Sequence, residues 1–550
     1  MTSIRIAALA IVLPAVLVYY AIKWFSIGRR PKDLPPGPPT LPLLGNIHLM
    51  PKEKPWLQLT RWAEEYGPIY SLMMGTQTYI VLNSPEAVRD LMDKRSQIYS
   101  SRPDMYVAQE VASGGLRLVV MKYGALWRTM HKMIHNIFNI RAAVTYVPYQ
   151  DLENKQMLSD LLDTPQDFVN HIRRFSNSLT TQMVFGVRTH THEDPRLRQL
   201  FEGFQEWSEI AGGTSTQLLD LYPILQKLPA FLRPNFRYAQ QLHKKELGLY
   251  SSHWMEAKKA LLDGTGKPCF SNDVLRVQEK EQMNDDQAAY LSGSLLEAGS
   301  DTTSSTLIGF ALAMLCYPDV QQRAKEEIDR VVGPDRLPTM DDWPNLPYIR
   351  AIIKETIRWM PTTVSAVPHR VLEENFYQGY RIPRDATVLI NVWGLHMDPK
   401  RNANPRVFDP TRFENDLRTE FECATGDPSK RNNYIFGAGR RLCQGMHIAE
   451  RSLFLATTRM LWAFNFERPR DNRTGALKPL PDVDEFHGTM IIQPAPFEVV
   501  ITPRTQRKAN MIRQIWRDAE EELLDKKTKQ WAKMPEGMAF STYEPGKVNV

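Results

Sequence analysis

Phe436-Gly437-Ala438-Gly439-Arg440-Arg441-Leu442-Cys443-Gln444-Gly445 is the stretch from which the fold is read. One cysteine stands between two glycines, with an arginine two residues before it. A thiolate that ligates a metal in a flat macrocycle needs space above the sulfur, backbone N–H groups aimed at it, and a cation for the macrocycle's acidic groups. Glycine lets the chain turn tightly and approach closely. A helix starting after Cys443 would point its free N–H groups at the sulfur and favour the anion. Arg441 can fork onto a carboxylate.

The decapeptide resembles the haem-binding loop of the cytochrome P-450 family, whose fixed positions fall on Phe436, Gly439, Arg441, Cys443 and Gly445. The resemblance implies a mainly α fold with small β-sheets, forming one large haem domain behind an N-terminal transmembrane helix. It implies haem b (iron protoporphyrin IX) held through Cys443 as axial thiolate.

The other motifs are read with this loop. Ala298-Gly299-Ser300-Asp301-Thr302-Thr303 lies in a helical run from about Asp286 to Leu315. Residues three and four apart on a helix are neighbours, so Leu295, Ala298, Gly299, Thr302 and Thr306 share a face. Gly299 is expected to leave space for dioxygen, and glycine with threonine favours a local break in the helix. The string resembles the family's acid–alcohol pair. Thr302 would then hold the activated oxygen and its water, and Asp301 would relay protons. Taken alone, the string reads more readily as a threonine satisfying an i−4 carbonyl beside a surface aspartate, since such short strings are common.

Glu355 and Arg358, in Lys354-Glu355-Thr356-Ile357-Arg358, lie i, i+3 on one helix face. Phe408-Asp409-Pro410-Thr411-Arg412-Phe413 follows. By resemblance, Glu355, Arg358 and Arg412 form a buried structural network that pins the chain leading to Cys443. Trp127-Arg128-Thr129-Met130-His131 resembles a motif that binds a haem propionate, with His131 where arginine is commoner. Histidine cannot reproduce a guanidinium fork. His369 resembles a further propionate contact, and Arg102 is a basic residue in the same neighbourhood.

Composition bounds the rest. The chain has 550 residues, and length alone would suggest several domains; no Gly/Ser-rich linker interrupts it between about Pro51 and Arg504, and the resemblance implies one domain over 51–503. A net charge of +6 without a nucleic-acid motif does not indicate nucleic acid. The four cysteines are widely spaced and form no CxxC pair, so neither zinc nor a disulfide framework is suggested. Few cysteines in a long chain fits a reducing compartment.

Ile6 to Ile22 carries no charge, and Lys23, Trp24, Phe25, Arg29 and Arg30 follow it. This predicts a membrane anchor over 1–27, single-pass, with the catalytic domain facing the cytosol at the endoplasmic reticulum. A cleaved signal is the rival reading. Leu34-Pro35-Pro36-Gly37-Pro38-Pro39 predicts a stiff proline-rich hinge over 28–50. Trp56–Tyr66 and Pro85–Arg95 read as helices. Ile69–Met74 and Thr78–Leu82 read as a hairpin, and short strands are expected near Tyr380, Val388 and Val499. Leu221–Phe236 reads either as a membrane-dipping surface or as a loop and helix pair covering the core. The charged extension 504–550 reads as a solvated helix with a loose end.

The resemblance implies a monooxygenase that takes electrons from NADPH through NADPH-cytochrome P-450 reductase and inserts one atom of O2 into a small hydrophobic or aromatic substrate. Over the chain as a whole it points to fungal members that tailor secondary metabolites. Substrate contacts are expected from Met105–Val119, Phe201–Leu221, Leu295, Val364–Val367 and Met490. A reductase-independent haem-thiolate isomerase or dehydratase, and a non-enzymatic haem carrier or sensor, are the alternatives. The pair Asp301 and Thr302 argues against both.

Overall fold

The longest helix organises the molecule. Asn284 caps it reciprocally with Gln287, the capping box that satisfies free N–H groups at a helix start. It then runs 32 residues to Cys316, where Tyr317-Pro318 ends it. Its small and apolar residues are buried on nearly every side, as expected of a helix hydrophobic all round. The computed structural model describes residues 23–538. The predicted membrane segment Ile6–Ile22 lies outside the described residues, and among those described no helix is long and apolar enough to cross a membrane.

In chain order the elements used below are α1 (Pro55–Tyr66), β1 (Ile69–Met74), β2 (Gln77–Leu82), α2 (Ala125–Phe138), α3 (Phe168–Phe185), α4 (Pro195–Gly212), α5 (Phe236–Leu262), α6 (Asp285–Cys316) and α7 (Pro347–Trp359). They continue with β3 (His369–Arg370), β4 (Thr387–Ile390), α8 (Met446–Ala463), β5 (Phe464–Glu467), β6 (Val500–Pro503) and α9 (Gln506–Leu523). The main sheet has the order β1-β2-β4-β3. β1 and β2 form the predicted hairpin, β2 pairs parallel with β4, and β4 pairs antiparallel with β3. Helix α6 packs against α3, α5, α7 and α8. Mostly helix with small sheets is therefore the architecture, as expected.

Two local expectations need correction. Pro85–Arg95 is not a plain helix: one α turn passes into a wider π-helical coil over Val88–Asp93. The proline-rich segment is docked on β1 and on Asn46. Ser71 Oγ donates to the Pro35 carbonyl at 2.6 Å, Ser71 N–H donates to Pro36 at 2.7 Å, and the Asn46 amide donates to Pro38 and Pro39. The charged extension is not a solvated appendage. Ala509, Ile512 and Ala519 of α9 are buried, Ile512 joins the core around α6 to α8, and Trp531 is 3% exposed. Trp531 Nε1 donates to Gln182 Oε1 of α3 at 2.6 Å, and its ring packs on Tyr149.

Trp531→Ala is accordingly expected to lower stability by about 3–5 kcal/mol, the usual cost of emptying a buried aromatic site. Urea unfolding checks it. An unchanged midpoint would mean that the extension merely rests on the domain.

Candidate active site

Cys443 follows a turn that only glycine can make. Gly439 has φ +58°, and a Cβ there would stand 2.0 Å from the Met92 carbonyl oxygen. Asp93 Oδ1 accepts the Gly439 N–H at 2.7 Å. The Phe436 carbonyl accepts the Cys443 N–H at 2.9 Å, closing the loop on itself. Helix α8 then starts directly after Gly445. Burial pushes the Cys443 thiol up, while the N–H groups of Gly445 and Met446 pull it down. The side chain is accessible yet closely surrounded by protein, so it lines an internal space. A Cβ on Gly445 would stand 4.0 Å from Cys443 Sγ, on the same side as the sulfur.

Around this loop is a group of buried cations. Arg441 donates to the carbonyls of Ser100 and Met121 at 2.9 and 2.7 Å, and its guanidinium lies 4.0 Å from the Trp127 ring centroid. Burial lowers its pKa to about 9. Arg102, 4% exposed, donates to the carbonyls of Val119, Val367 and Pro368. Burial holds it well below the ordinary arginine range, and neighbouring Arg441 adds to this. His369 Nδ1 donates to the Tyr99 carbonyl at 2.8 Å, and burial with Arg102 and Arg441 keeps the ring neutral. The His131 ring lies tilted against Trp127, centroids 4.4 Å apart, and is depressed to about 4 by burial, then by Arg441.

The Arg102 guanidinium is buried and that of Arg441 half-buried beside it, neither in an ion pair with a carboxylate among the described residues, which is costly as it stands. They fit a group that brings two carboxylates to this place. With a thiol held against helix N–H groups, the residues present fit haem b. The structure thus brings Trp127, His131, His369 and Arg441 together, and gives Arg102 a fuller part than the sequence assigned. As the residues stand His131 is neutral, and the two guanidiniums are the groups here that would meet the carboxylates.

The predicted pair sits on α6. Asp301 is pushed up to about 6 by burial; Arg173 of α3 lowers it and Glu297, one turn earlier, raises it. A carboxyl poised near neutrality can both take up and release protons. Thr302 Oγ1 donates to the Ala298 carbonyl at 2.7 Å, and α6 runs unbroken through this point. The expected helix break is absent from α6. Gly299 also has a different reason from the one expected. A Cβ there would meet Thr180 Oγ1 of α3 at 2.5 Å, so the glycine permits close packing of α6 on α3. The small residue on the accessible face, beside Thr302, is Ala298.

Glu355 and Arg358 are fully buried and doubly bonded, at 2.6 and 2.7 Å. Glu355 Oε1 also accepts the Asp409 N–H at 2.8 Å. Arg412 stands farther off, with Nε 3.5 Å from Glu355, and donates to the Asn404 carbonyl. Sequence reasoning missed His396. Its Nδ1 donates to the Arg358 carbonyl at 3.1 Å and its Nε2 accepts the Tyr434 N–H at 2.9 Å. Burial holds the ring neutral, with a pKa of about 3, which this pattern of one donor and one acceptor requires. The ion pair is thereby tied to the start of the cysteine loop, two residues before Phe436.

Apolar segments predicted to meet substrate form a cluster of their own. Val107, Ala108, Ala112, Trp207, Ile210 and Leu219 are buried together, with Val367 and Met490 packed against them.

The comparisons agree with this site. The Cytochrome P450 family model matches residues 35–483. Cytochrome P450 monooxygenase virE of Hypocrea virens is 51% identical over 530 residues, 96% of each chain. Cytochrome P450 monooxygenase fogE of Aspergillus ruber is 47% identical over 98% of this chain and 99% of that one. A zebra fish cytochrome P450 solved with progesterone aligns over 82% of this chain and 99% of its own, with a TM-score of 0.67 at 24% identity. With a thiol loop on helix α8, a carboxylate-seeking pair of arginines and relatives of this closeness, the chain belongs to the cytochrome P450 family and is a haem-thiolate monooxygenase.

Proposed function

We propose that this enzyme hydroxylates, or otherwise oxidatively tailors, a hydrophobic or aromatic small molecule in secondary metabolism, using electrons from NADPH-cytochrome P-450 reductase. The haem, when bound, supplies an iron whose thiolate ligand favours cleavage of the O–O bond. This chain's own residues do the rest. Arg102 and Arg441 anchor the carboxylates, and Trp127 backs Arg441. The apolar roof around Val107, Trp207 and Leu219 excludes water and orients a substrate of like character. Asp301 relays protons through water to Thr302, whose hydroxyl releases the Ala298 carbonyl to pass them on.

The observation that carries the reading is the accessible face of α6. Ala298 is exposed and Leu295 and Thr302 half-exposed midway along a mostly buried helix, beside a carboxyl poised near 6. Thr302→Ala is expected to keep its haem and lower product formed per NADPH by at least about tenfold, the electrons appearing as peroxide. Parallel assays of NADPH, product and peroxide check it. Unaltered coupling would remove Thr302 from the mechanism.

The reductase is proposed to dock on the basic face formed by α2, the short helix Ile140–Thr145 and the cysteine loop, where Arg128, Lys132, Arg141 and Arg440 are exposed. We also propose an endoplasmic reticulum membrane location with the catalytic domain in the cytosol. Ile224, Phe231 and Leu232 are 67%, 70% and 54% exposed, next to Lys227 and Arg233. Tyr222 OH donates to the Leu43 carbonyl, which sets this patch beside exposed Leu41 and Leu44. Such a surface suits the interfacial zone of a bilayer.

A further inference from the structure

Two carboxylates share one buried guanidinium. Arg117 is fully buried and donates to Glu246 of α5 at 2.6 Å and to Glu297 of α6. It also donates to Ser113 Oγ at 3.0 Å and lies 4.1 Å from the Trp207 ring centroid of α4. Glu246 and Glu297 are 4% and 5% exposed. One positive charge between two carboxylates leaves a net negative charge deep inside the protein, which burial disfavours. The triad is neutral only when one carboxyl keeps a proton.

The hydrogen bonds show which one. Glu297 is fully bonded, with Arg117 donating to Oε2 and Tyr250 OH of α5 to Oε1. Glu246 takes Arg117 on Oε2, and Tyr290 OH, bonded to His243 at 2.8 Å, reaches that oxygen only at 3.5 Å. Glu246 Oε1 is buried without a partner among the described residues. Glu246 also lines a small cavity between α4 and α5, with Leu200, Gly203, Phe204 and Leu249, which leaves about 10 Å³ for the centre of a water molecule. That is room for one water, able to accept an O–H. Lys245, on the same lining, is taken by Glu206 at 2.8 Å. Burial pushes the Glu246 carboxyl up, Arg117 draws it down and Glu297 raises it again. The proton sits on Glu246, and Glu297 is the ionised member.

Glu297 stands one helical turn before Asp301 on α6, and residues at that spacing are neighbours. Two charged groups act on Asp301: Arg173 of α3 lowers it and Glu297 of α6 raises it. Segment 105–119 and α5 bring their own groups, Arg117, Glu246 and Tyr250, to Glu297. These hold it in place. The Tyr250 ring is itself wedged on α6, since a Cβ at Gly293 would stand 2.3 Å from it.

We propose that Glu297 is a positioning residue for Asp301, an ionised carboxylate pinned by Arg117 and Tyr250 whose field makes Asp301 hold the proton it relays. This deepens the functional reading above and rests on it, in that Asp301 is taken to relay protons.

Two changes on the same guanidinium then have different effects. In Glu297→Gln, Arg117 is not stranded: Glu246 gives up its proton and becomes the counter-ion, and the glutamine still accepts from Tyr250. The negative charge has moved from α6 to α5, away from Asp301. Glu246→Gln removes a neutral group and leaves Glu297 as it was.

Infrared difference spectra of the haem-loaded enzyme across pH read Asp301 directly, as the carboxyl band that Asp301→Asn abolishes. Without the like charge Asp301 binds its proton less tightly. Its midpoint in Glu297→Gln should fall by about one pH unit, the order expected of one charge one helical turn away. The pH above which product per NADPH declines should fall with it. Glu246→Gln should leave the midpoint in place, and Glu297→Asp, which keeps the charge, should retain most of it. Arg117→Met with Glu297→Leu removes the ion pair from both sides, should also lower the midpoint, and carries the test if Glu297→Gln loads no haem. A merely structural cluster predicts equal effects of Glu297→Gln and Glu246→Gln, and that result overturns the proposal. An unmoved or raised midpoint in Glu297→Gln overturns it as well. If the midpoint falls as expected while product per NADPH does not follow, the relay reading fails and the action of Glu297 on Asp301 stands.

Discussion

Cys443→Ser will fold yet lose the thiolate-type spectrum of the reduced, CO-bound enzyme, and with it monooxygenation. The fold should survive because the loop is closed through backbone. The Phe436 carbonyl accepts the residue 443 N–H, Gly439 sits on Asp93, and neither bond uses the sulfur. A serine hydroxyl can still accept from the N–H groups of Gly445 and Met446. What it cannot supply is a soft anionic ligand. In a site where burial already raises the thiol, metal coordination is what removes the proton, and an alcohol is far harder to deprotonate. Turnover should fall by more than the roughly 10–100-fold that follows loss of an outer-shell partner of a metal ligand. No other cysteine can stand in. Burial raises Cys269 and Cys423 to about 12 and Cys316 to about 11. Parallel spectra and turnover of the wild type and variant check this; an unchanged thiolate band would mean that the ligand is misassigned.

The motifs that were legible are short. The cysteine loop spans ten residues, and Glu355 and Arg358 lie one helical turn apart. Local spacing also carried the first hairpin and the extent of α6. What the sequence hid was direction and long-range partnership. Gly299 and Ala298 are adjacent small residues, and spacing alone cannot say which faces α3 and which the interior. His396 gains its meaning from Arg358 and Tyr434, each 38 positions away. Arg102 is one arginine among many until Val119, Val367 and Pro368 fold around it. The extension was misread for the opposite reason. Its charge density is high, and the few residues that bury it (Ala509, Ile512, Ala519, Trp531) are too sparse to mark a face against that background.

Glu355→Ala should lose haem and stability together, without altering the selectivity of whatever enzyme remains folded. Glu355 and Arg358 are both 0% exposed. Burial raises the Glu355 carboxyl, and Arg358 is the main influence drawing it back. Deleting the carboxylate leaves the Arg358 guanidinium buried with only the His396 carbonyl, at 3.2 Å, and Met397 Sδ near it, and frees the Asp409 N–H. Breaking a buried pair from one side costs about 3–5 kcal/mol, a factor of roughly one hundred to a few thousand in the folded population. The damage reaches the cofactor because Arg358 is joined through His396 to Tyr434, and Tyr434 leads into Phe436 and the loop. Haem-to-protein ratio and urea unfolding measure it. Two further variants separate charge from shape. Glu355→Gln keeps an acceptor for Asp409 but not the charge, and should fall between wild type and alanine. The double change Glu355→Leu with Arg358→Met removes both charges at similar volume. It should recover part of the stability, since an apolar pair often replaces a buried ion pair at little cost. If Glu355→Ala proved fully loaded and as stable as wild type, the ion pair would have no part in holding the cysteine loop.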